Sequence, residues 1–355
     1  MIEISKFENM KHRKILSLQP DFDRIPDLDM EFLSDDFAPA TNEEKANFME
    51  KTASVSYWKD AWRRLKANKV AIVSLGFIVC MFVFAFIAPL FFSVDYTTQV
   101  KTAVNLPPSA AHPFGTDKFG RDLMVRAMYG ARVSLIVGVC ASAIVLVIGT
   151  LYGAIAGFVG GKVDSVMMRI IDLIYSVPEV LVVLLISISI KIPIQDWVNN
   201  SNSKLAQSVG DLGPSLIAIF IAFGLLYWVS MARIIRGQVL MLKQQEYVTA
   251  ARALGAPGKY IVKRHILPNC IGQIIVTTAM QIPSAIFLES FLSFLGIGVS
   301  APMTSLGAMA SDALGGIYTY PYRLVMPSVL LSLMILSLNL FSDGLRDALD
   351  PRLKK

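Results

Sequence analysis

Six stretches of the chain stay apolar long enough to cross a lipid bilayer: Val70–Phe92, Val133–Val159, Met168–Ile190, Leu212–Met231, Ile271–Val299 and Leu324–Phe341. A hydrocarbon core about 30 Å thick needs about 20 such residues in helical form. Backbone in lipid must satisfy its own hydrogen bonds, so each stretch is expected to be a helix. None alternates apolar with polar residues as the strands of a transmembrane barrel do. The pattern predicts an all-α integral membrane protein with six transmembrane helices.

Basic residues give the expected orientation. Lys59, Arg63, Arg64, Lys66 and Lys69 precede the first span, with Trp58 and Trp62 placed as interfacial anchors. Arg233, Arg236, Lys243, Arg252, Lys259, Lys263 and Arg264 crowd the connection between the fourth and fifth spans, and Arg346, Arg352, Lys354 and Lys355 follow the sixth. An even number of spans puts all three segments on one side, and the positive-inside rule makes that side cytoplasmic. One segment dissents. Lys118, Arg121, Arg126 and Arg132 fall outside in this topology, partly offset by Asp117 and Asp122, and Leu123, Arg126, Ala127 and Gly130 suggest a short interfacial helix.

Composition agrees with a membrane class: 54% of 355 residues are hydrophobic, 17% are charged, and the mean hydropathy is +0.55. A soluble domain would carry about 25% charged residues. The net charge of +6 is explained by Lys and Arg retained on the cytoplasmic side, not by a nucleic-acid partner. Cys80, Cys140 and Cys270 lie in or beside apolar stretches and read as small buried hydrophobes. No cleavable signal peptide is visible, since the first apolar run begins near Val70. The chain divides into an acidic tail over 1–55, expected to be cytoplasmic and disordered, a first span and extracytoplasmic loop over 56–132, and a five-span core over 133–355.

Within the spans, Pro178, Pro283 and Pro327 each free a backbone carbonyl. Gly149, Gly153 and Gly157 repeat at four-residue spacing, which lets another helix approach closely; packing within the chain is the favoured reading over a dimer motif.

The polar connection 233–269 is too long for a turn, yet it is organised. Tyr247, Ala251 and Leu254 share one helical face, and Ala250, Ala251 and Ala253 favour helix while leaving little bulk. Gly255 suits the left-handed position that ends a helix and Pro257 the first turn of the next, which Pro268 limits. Helix, bend and helix describe either an elbow held in a partner's groove or a basic amphipathic loop on the membrane surface.

Glu246-Tyr-Val-Thr-Ala-Ala-Arg-Ala-Leu-Gly255, followed by Ile266-Leu-Pro-Asn269, resembles the EAA loop of ABC importer permeases. That pattern runs Glu-Ala-Ala, three residues, Gly, nine residues, Ile-x-Leu-Pro. The chain matches at Ala250, Ala251, Gly255, Leu267 and Pro268, and departs at Thr249 (Glu in the pattern) and His265 (Ile). Glu246 lies one turn before Thr249 and is placed to serve the same face. The segments 112–122, 287–298 and 343–352 resemble the C-type permease of dipeptide and oligopeptide importers, so that the likeness runs from Tyr57 to the C-terminus. The resemblance implies a type I importer fold in a bacterial cytoplasmic membrane. It also implies a second homologous permease as heterodimer partner, two ATP-binding subunits that hold ATP and Mg, and an extracytoplasmic substrate-binding protein. Coupling to the ATPase would fall to Glu246, Tyr247, Ala250, Ala251, Leu254, Gly255 and Pro268. Peptides are the implied cargo, with nickel and glutathione systems having similar permeases.

Three carboxylates lie in the expected spans: Asp172, Glu179 and Glu289. An ionised carboxylate at a helix centre costs about 2.5–3.5 kcal/mol on insertion scales, so each is expected to face protein or water. Glu179, after Pro178, is the first candidate for the translocation path, against a buried structural hydrogen bond. Asp172 is placed to pair with Arg169, and Glu289, with Ser290 and Ser293, to serve an interface with the second permease. No catalytic set, phosphate loop or metal-ligand cluster is legible: Gly160-Gly-Lys-Val163 lacks the first phosphate-loop Gly, at Ala156, and the Ser or Thr after the Lys, and His12, His112 and His265 are scattered. The rival readings are an ion-coupled secondary transporter using these carboxylates and a membrane-embedded enzyme.

Overall fold

The computed structural model describes residues 56–350 apart from 202 and 300; the expectation for the tail over 1–55 lies outside the described residues. The order of helices is α1 (Tyr57–Ala67), α2 (Lys69–Phe82), α3 (Leu123–Val159), α4 (Gly161–Tyr175), α5 (Glu179–Asn200), α6 (Lys204–Leu212), α7 (Pro214–Leu226), α8 (Trp228–Leu242), α9 (Glu246–Ala253), α10 (Gly258–Ile261), α11 (Leu267–Phe294), α12 (Leu306–Ala313) and α13 (Tyr322–Leu349). Among the described residues, six helical runs are long and apolar enough to span a bilayer: Lys69–Phe91, Leu123–Val159, Glu179–Asn200, Pro214–Leu242, Gly258–Phe294 and Tyr322–Leu349.

Helix α3 is the centre of the bundle. It packs along α8, α11 and α7, while α13 packs against α2 and α11. The glycine seam explains the tightest of these contacts. A Cβ at Gly149 would stand 2.6 Å from the Met231 Cβ, and one at Gly157 would stand 2.9 Å from the Arg236 carbonyl oxygen. At Gly153 it would run into the Ala232 carbonyl oxygen. All three partners are on α8, so the four-residue spacing serves packing within the chain.

Two expected boundaries move. The short interfacial helix is instead the start of α3: Asp122 caps it, its carboxylate accepting from the Met124 and Val125 amides at 2.8 and 3.0 Å, and nothing before Val159 stops propagation. The division drawn at 132/133 therefore falls inside one helix of 37 residues. At about 1.5 Å per residue that helix is about 55 Å long, well beyond the hydrocarbon core. The third span is also displaced. Pro178 separates α4 from α5 instead of kinking one span, and the spanning helix runs from Glu179 to Asn200. A residue before proline is driven away from the helical region, which ends α4 at Tyr175. Cys80 and Cys140, expected to be buried, are exposed on the outer faces of their helices.

The dissenting arginines are held by partners. Asp117 accepts from Arg121 Nε at 2.6 Å and Arg126 Nη1 at 2.8 Å, and Asp312 on α12 receives Arg126 Nη2 at 3.3 Å. Asp122 pairs with His112, not with an arginine. Burial alone would raise the Asp117 carboxyl, but amide donors from Arg121 and Phe119 and the two guanidiniums outweigh it and hold the group below its usual range. Arg132 has another task. Pro89 has no N–H to give the Ala85 carbonyl, four residues before it, and the helix opens into a π-turn over Val83–Ile87. Arg132 Nε donates to that carbonyl at 2.9 Å.

Both ends of the described chain meet at one end of the bundle. The Tyr57 hydroxyl donates to the Leu349 carbonyl at 3.0 Å and Arg64 to the Asp350 carbonyl at 3.4 Å, satisfying acceptors that the end of α13 leaves open. Ala61 and Leu349 also share a cluster with Val276 of α11.

Gly153→Ala is expected to destabilise the solubilised protein by about 1–3 kcal/mol through overpacking, read by thermal denaturation. Gly237→Ala on the same α8, where a Cβ meets open space, is expected to be neutral or stabilising.

Candidate functional site

Two places concentrate the chemistry: the connection between α8 and α11, and a cavity walled by the same two helices. The connection is an elbow. Helix α9 ends at Ala253, Gly255 takes φ +80°, and α10 follows after Pro257. The Ala256 amide donates to the Ala251 carbonyl at 3.0 Å and the Gly255 amide to the Arg252 carbonyl at 2.9 Å, closing the end of α9.

The elbow has an inner and an outer side. Val248, Ile261 and Ile266 are fully buried or nearly so, in one cluster with Met231, Ile235 and Val239 of α8 and Val145 and Ala154 of α3. The expected Tyr247–Ala251–Leu254 face is split by the fold: Ala251 packs inward, while Leu254 projects with 88% of its surface exposed. Tyr247 lies between, its ring 6.3 Å from that of His265, which also meets Tyr260 at 5.8 Å. Glu246, Ala250 and Gly255 are exposed. Pro268 does not limit the second helix. A π-turn over Val262–Ile266 carries α10 directly into α11, widening the turn where the Pro268 ring would otherwise press on the preceding carbonyls. Val248 was not singled out from the sequence; it is the one branched apolar residue in an alanine-rich turn, and that contrast was the available signal.

The cavity has a volume of about 870 Å³. Its walls come from the α4–α5 break (Tyr175 to Glu179), from Tyr227, Val229 and Ser230 at the start of α8, from Gln281, Pro283 and Ser284 of α11 and from Asn339 of α13. Among the described residues Glu179 is the only acidic or basic one in this lining, with the Tyr227 side chain against its carboxylate.

The other two carboxylates lie elsewhere. Asp172 is on α4, outside the spans, 62% exposed and paired with Arg233 Nη2 at 2.8 Å, not with Arg169. Glu289 is wholly buried within the chain. It accepts from Ser134 at 2.8 Å, Ser293 at 2.8 Å and Ser290 at 3.2 Å, with Ser305 as a fourth neighbour. It thus knits α3 to α11 and to the start of α12, away from both the cavity and any outer face.

Helix α4 hangs on α8 by charge. Arg236 grips Asp164 through Nε and Nη2 at 2.7 and 2.5 Å, Arg233 holds Asp172 and lies 4.6 Å from the Tyr175 ring centre, and Lys243 donates to the Phe158 carbonyl at 2.5 Å. The elbow, α8 and the cavity mouth are therefore one connected unit.

With this geometry in view, the comparisons with known proteins are specific. Residues 149–355 match the family of binding-protein-dependent transport system inner membrane components. Residues 56–108 match the N-terminal transmembrane domain of oligopeptide transport permease C. The chain belongs to this permease family. It is 45% identical over 306 residues to the dipeptide transport system permease protein DppC of Bacillus subtilis (86% of this chain, 89% of the relative). It is 44% identical over 302 residues to the oligopeptide transport system permease protein OppC of the same organism (85% and 92%). Against the oligopeptide permease OppC of Escherichia coli K12 the figure is 39% over 310 residues (86% and 95%). Membership of this family, together with the apolar helices of the fold, assigns the chain to transport as a multi-pass membrane component.

Hydrogen bonds from Arg236 hold the Asp164 carboxyl below its ordinary range, with burial pulling the other way. A depressed folded value contributes stability above the unfolded value of about 3.9 and loses it as pH falls through the folded one. The protection of the Gly161–Tyr175 amides, corrected for the pH dependence of intrinsic exchange, is therefore expected to fall as pH drops below about 5. In Asp164→Asn it should start lower and fall less.

Proposed function

We propose that the chain forms half of the translocation pore of an ATP-driven importer for di- or oligopeptides, coupling ATP hydrolysis by partner subunits to alternating access. The peptide cargo is taken from the names of the relatives, DppC and OppC. A second, homologous permease completes the pore as a heterodimer. Two ATP-binding subunits, carrying ATP and Mg, engage the elbow, and a substrate-binding protein docks at the opposite end. The end that gathers α1, the elbow and the close of α13 faces the cytoplasm, because the solvated Lys and Arg residues are gathered there and positive charge is retained on that side.

One observation carries the reading: the helix entering the elbow and the helix leaving it are both walls of the cavity. A force applied at Leu254 and Ala250 passes through Val248, Ile261 and Ile266 into the cluster that holds α8 and α3. The same displacement shifts Ser230 on α8 and Gln281 on α11, and so changes access to the space beside Glu179. Close packing makes this transmission possible, since such clusters move as units and do not deform continuously. Glu246 and Tyr247 flank the exposed tip and orient it in the partner's groove. Asp172, beside the hinge at 176–178, and Glu289, inside the bundle, support the path by position.

Gly255→Glu and Leu254→Asp test this separately. A Cβ at Gly255 meets open space but must adopt a positive φ, costing about 1–2 kcal/mol, and Leu254 touches little in the isolated chain. Both variants are expected to insert and accumulate normally. Both are expected to lose at least about tenfold in cargo-stimulated ATPase activity and in uptake, the equivalent of about 1.4 kcal/mol of coupling. Full transport by either variant would remove the elbow from the mechanism.

A further inference from the structure

The cavity wall has a distinct charge character. Around Glu179 it offers hydroxyls of Tyr175, Tyr227, Ser230 and Ser284 and amides of Gln281 and Asn339, and among the described residues no cationic side chain lines it. Arg233, the nearest basic residue by sequence to this wall, is committed elsewhere: its guanidinium pairs with Asp172 at 2.8 Å and lies over Tyr175. The neutral groups can hydrogen-bond a peptide backbone of any sequence. A lone carboxylate in a space of this kind is selective in one respect only: it favours a cation and disfavours an anion.

We infer that Glu179 is a specificity-determining residue of the pore, acting as the transient counter-charge for a cationic group of the passing solute while it occupies the cavity. The inference rests on the proposed import function. Its geometric basis is threefold. Glu179 is exposed to the cavity, unlike Glu289, whose carboxylate is consumed by serine donors inside the bundle. It sits at the first residue of α5, just after the 176–178 break, where movement of α4 relative to α8 changes its surroundings. Its neighbour Tyr227 immediately precedes α8, the helix that enters the elbow, so the same displacement that switches access also moves the hydroxyl beside the carboxylate. The charge is thus available in one state of the cavity and differently screened in the other, which suits a site that must hold and then release.

Two sources of positive charge fit this chemistry, the terminal amine of a peptide and a basic side chain. The experiment separates them. The complete transporter, with its ATP-binding subunits and binding protein, is reconstituted in vesicles. Uptake is measured for four peptides of one length: free amine or N-acetylated, each with a neutral or a lysine side chain. Because the binding protein is the same throughout, the ratio of uptake between peptides, compared between wild type and variant, isolates the permease. In Glu179→Gln the preference for cationic over uncharged peptides is expected to fall about tenfold, as for loss of one hydrogen bond to a charged group. Glu179→Asp is expected to keep it.

Ser230→Lys places a cation in the same cavity without altering the start of α5, and is expected to abolish the preference as well. It therefore answers the question even if Glu179→Gln does not assemble. Loss of preference only for free-amine peptides identifies the terminal amine, and only for lysine peptides the side chain. An unchanged ratio in Glu179→Gln and Ser230→Lys, with uptake persisting, overturns the inference while leaving the import function standing. Absence of ATP-driven uptake of any peptide by the wild-type assembly would instead overturn the import function itself.

Discussion

The closeness of α3 and α8 is the constraint on which the remaining architecture depends. Three glycines remove side-chain bulk along one stripe of α3, and the backbone of α8 fills the space down to contact with its carbonyl oxygens. Association of helices in lipid has no hydrophobic drive between them, so close van der Waals packing of this kind must supply the attraction. Once α8 is seated, its arginines are set at fixed heights. Arg236 and Arg233 then hold α4, and Met231, Ile235 and Val239 of the same helix hold the inner side of the elbow. The mouth of the cavity and the elbow are placed by one contact surface.

Three carboxylates illustrate how an acid is accommodated near lipid. Asp172 avoids the problem by lying on an amphipathic helix outside the spans. Glu289 is deep within a span and is saturated by serine donors from three segments, the arrangement that a buried charge or acid requires. Glu179 is neither outside the spans nor saturated; it faces a cavity of mixed polar and apolar lining. The same side-chain chemistry therefore gives a tether, an internal knot and a cavity wall, according to which donors the fold supplies.

Much of this was legible before any coordinates. Apolar length located six spans, and the alanines, Gly255 and Pro257 drew the elbow with its bend where the backbone turns to positive φ. Hydropathy failed where it had no sense of register. Met168–Ile190 is apolar on average despite Arg169, Asp172 and Glu179, so its average does not distinguish the amphipathic turns before Pro178 from the spanning turns after it, and the polar residues beyond Ile190 hid the rest of α5. Arg121 and Arg126 misled the charge count because that count assumes solvated cations; both are locked to Asp117 and Asp312, and the second of these lies 186 residues from Arg126. Leu254 does not share a face with Ala251, since a face drawn from helical spacing continues past Ala253, where the helix has already ended. The cavity was invisible for a different reason: its walls come from segments more than 150 residues apart, and only Glu179 among them carried a charge to betray it.

The bond between Arg132 and the Ala85 carbonyl bears on how the protein is made. Pro89 leaves that carbonyl without a helical donor, and hydrocarbon offers no substitute. The donor resides in the next spanning segment, 47 residues downstream. The span that carries Ala85 leaves the ribosome before its donor and consequently enters the bilayer with an unmet acceptor. It reaches its lowest energy only after the next has arrived beside it, so biogenesis favours delivery of these two segments as a pair.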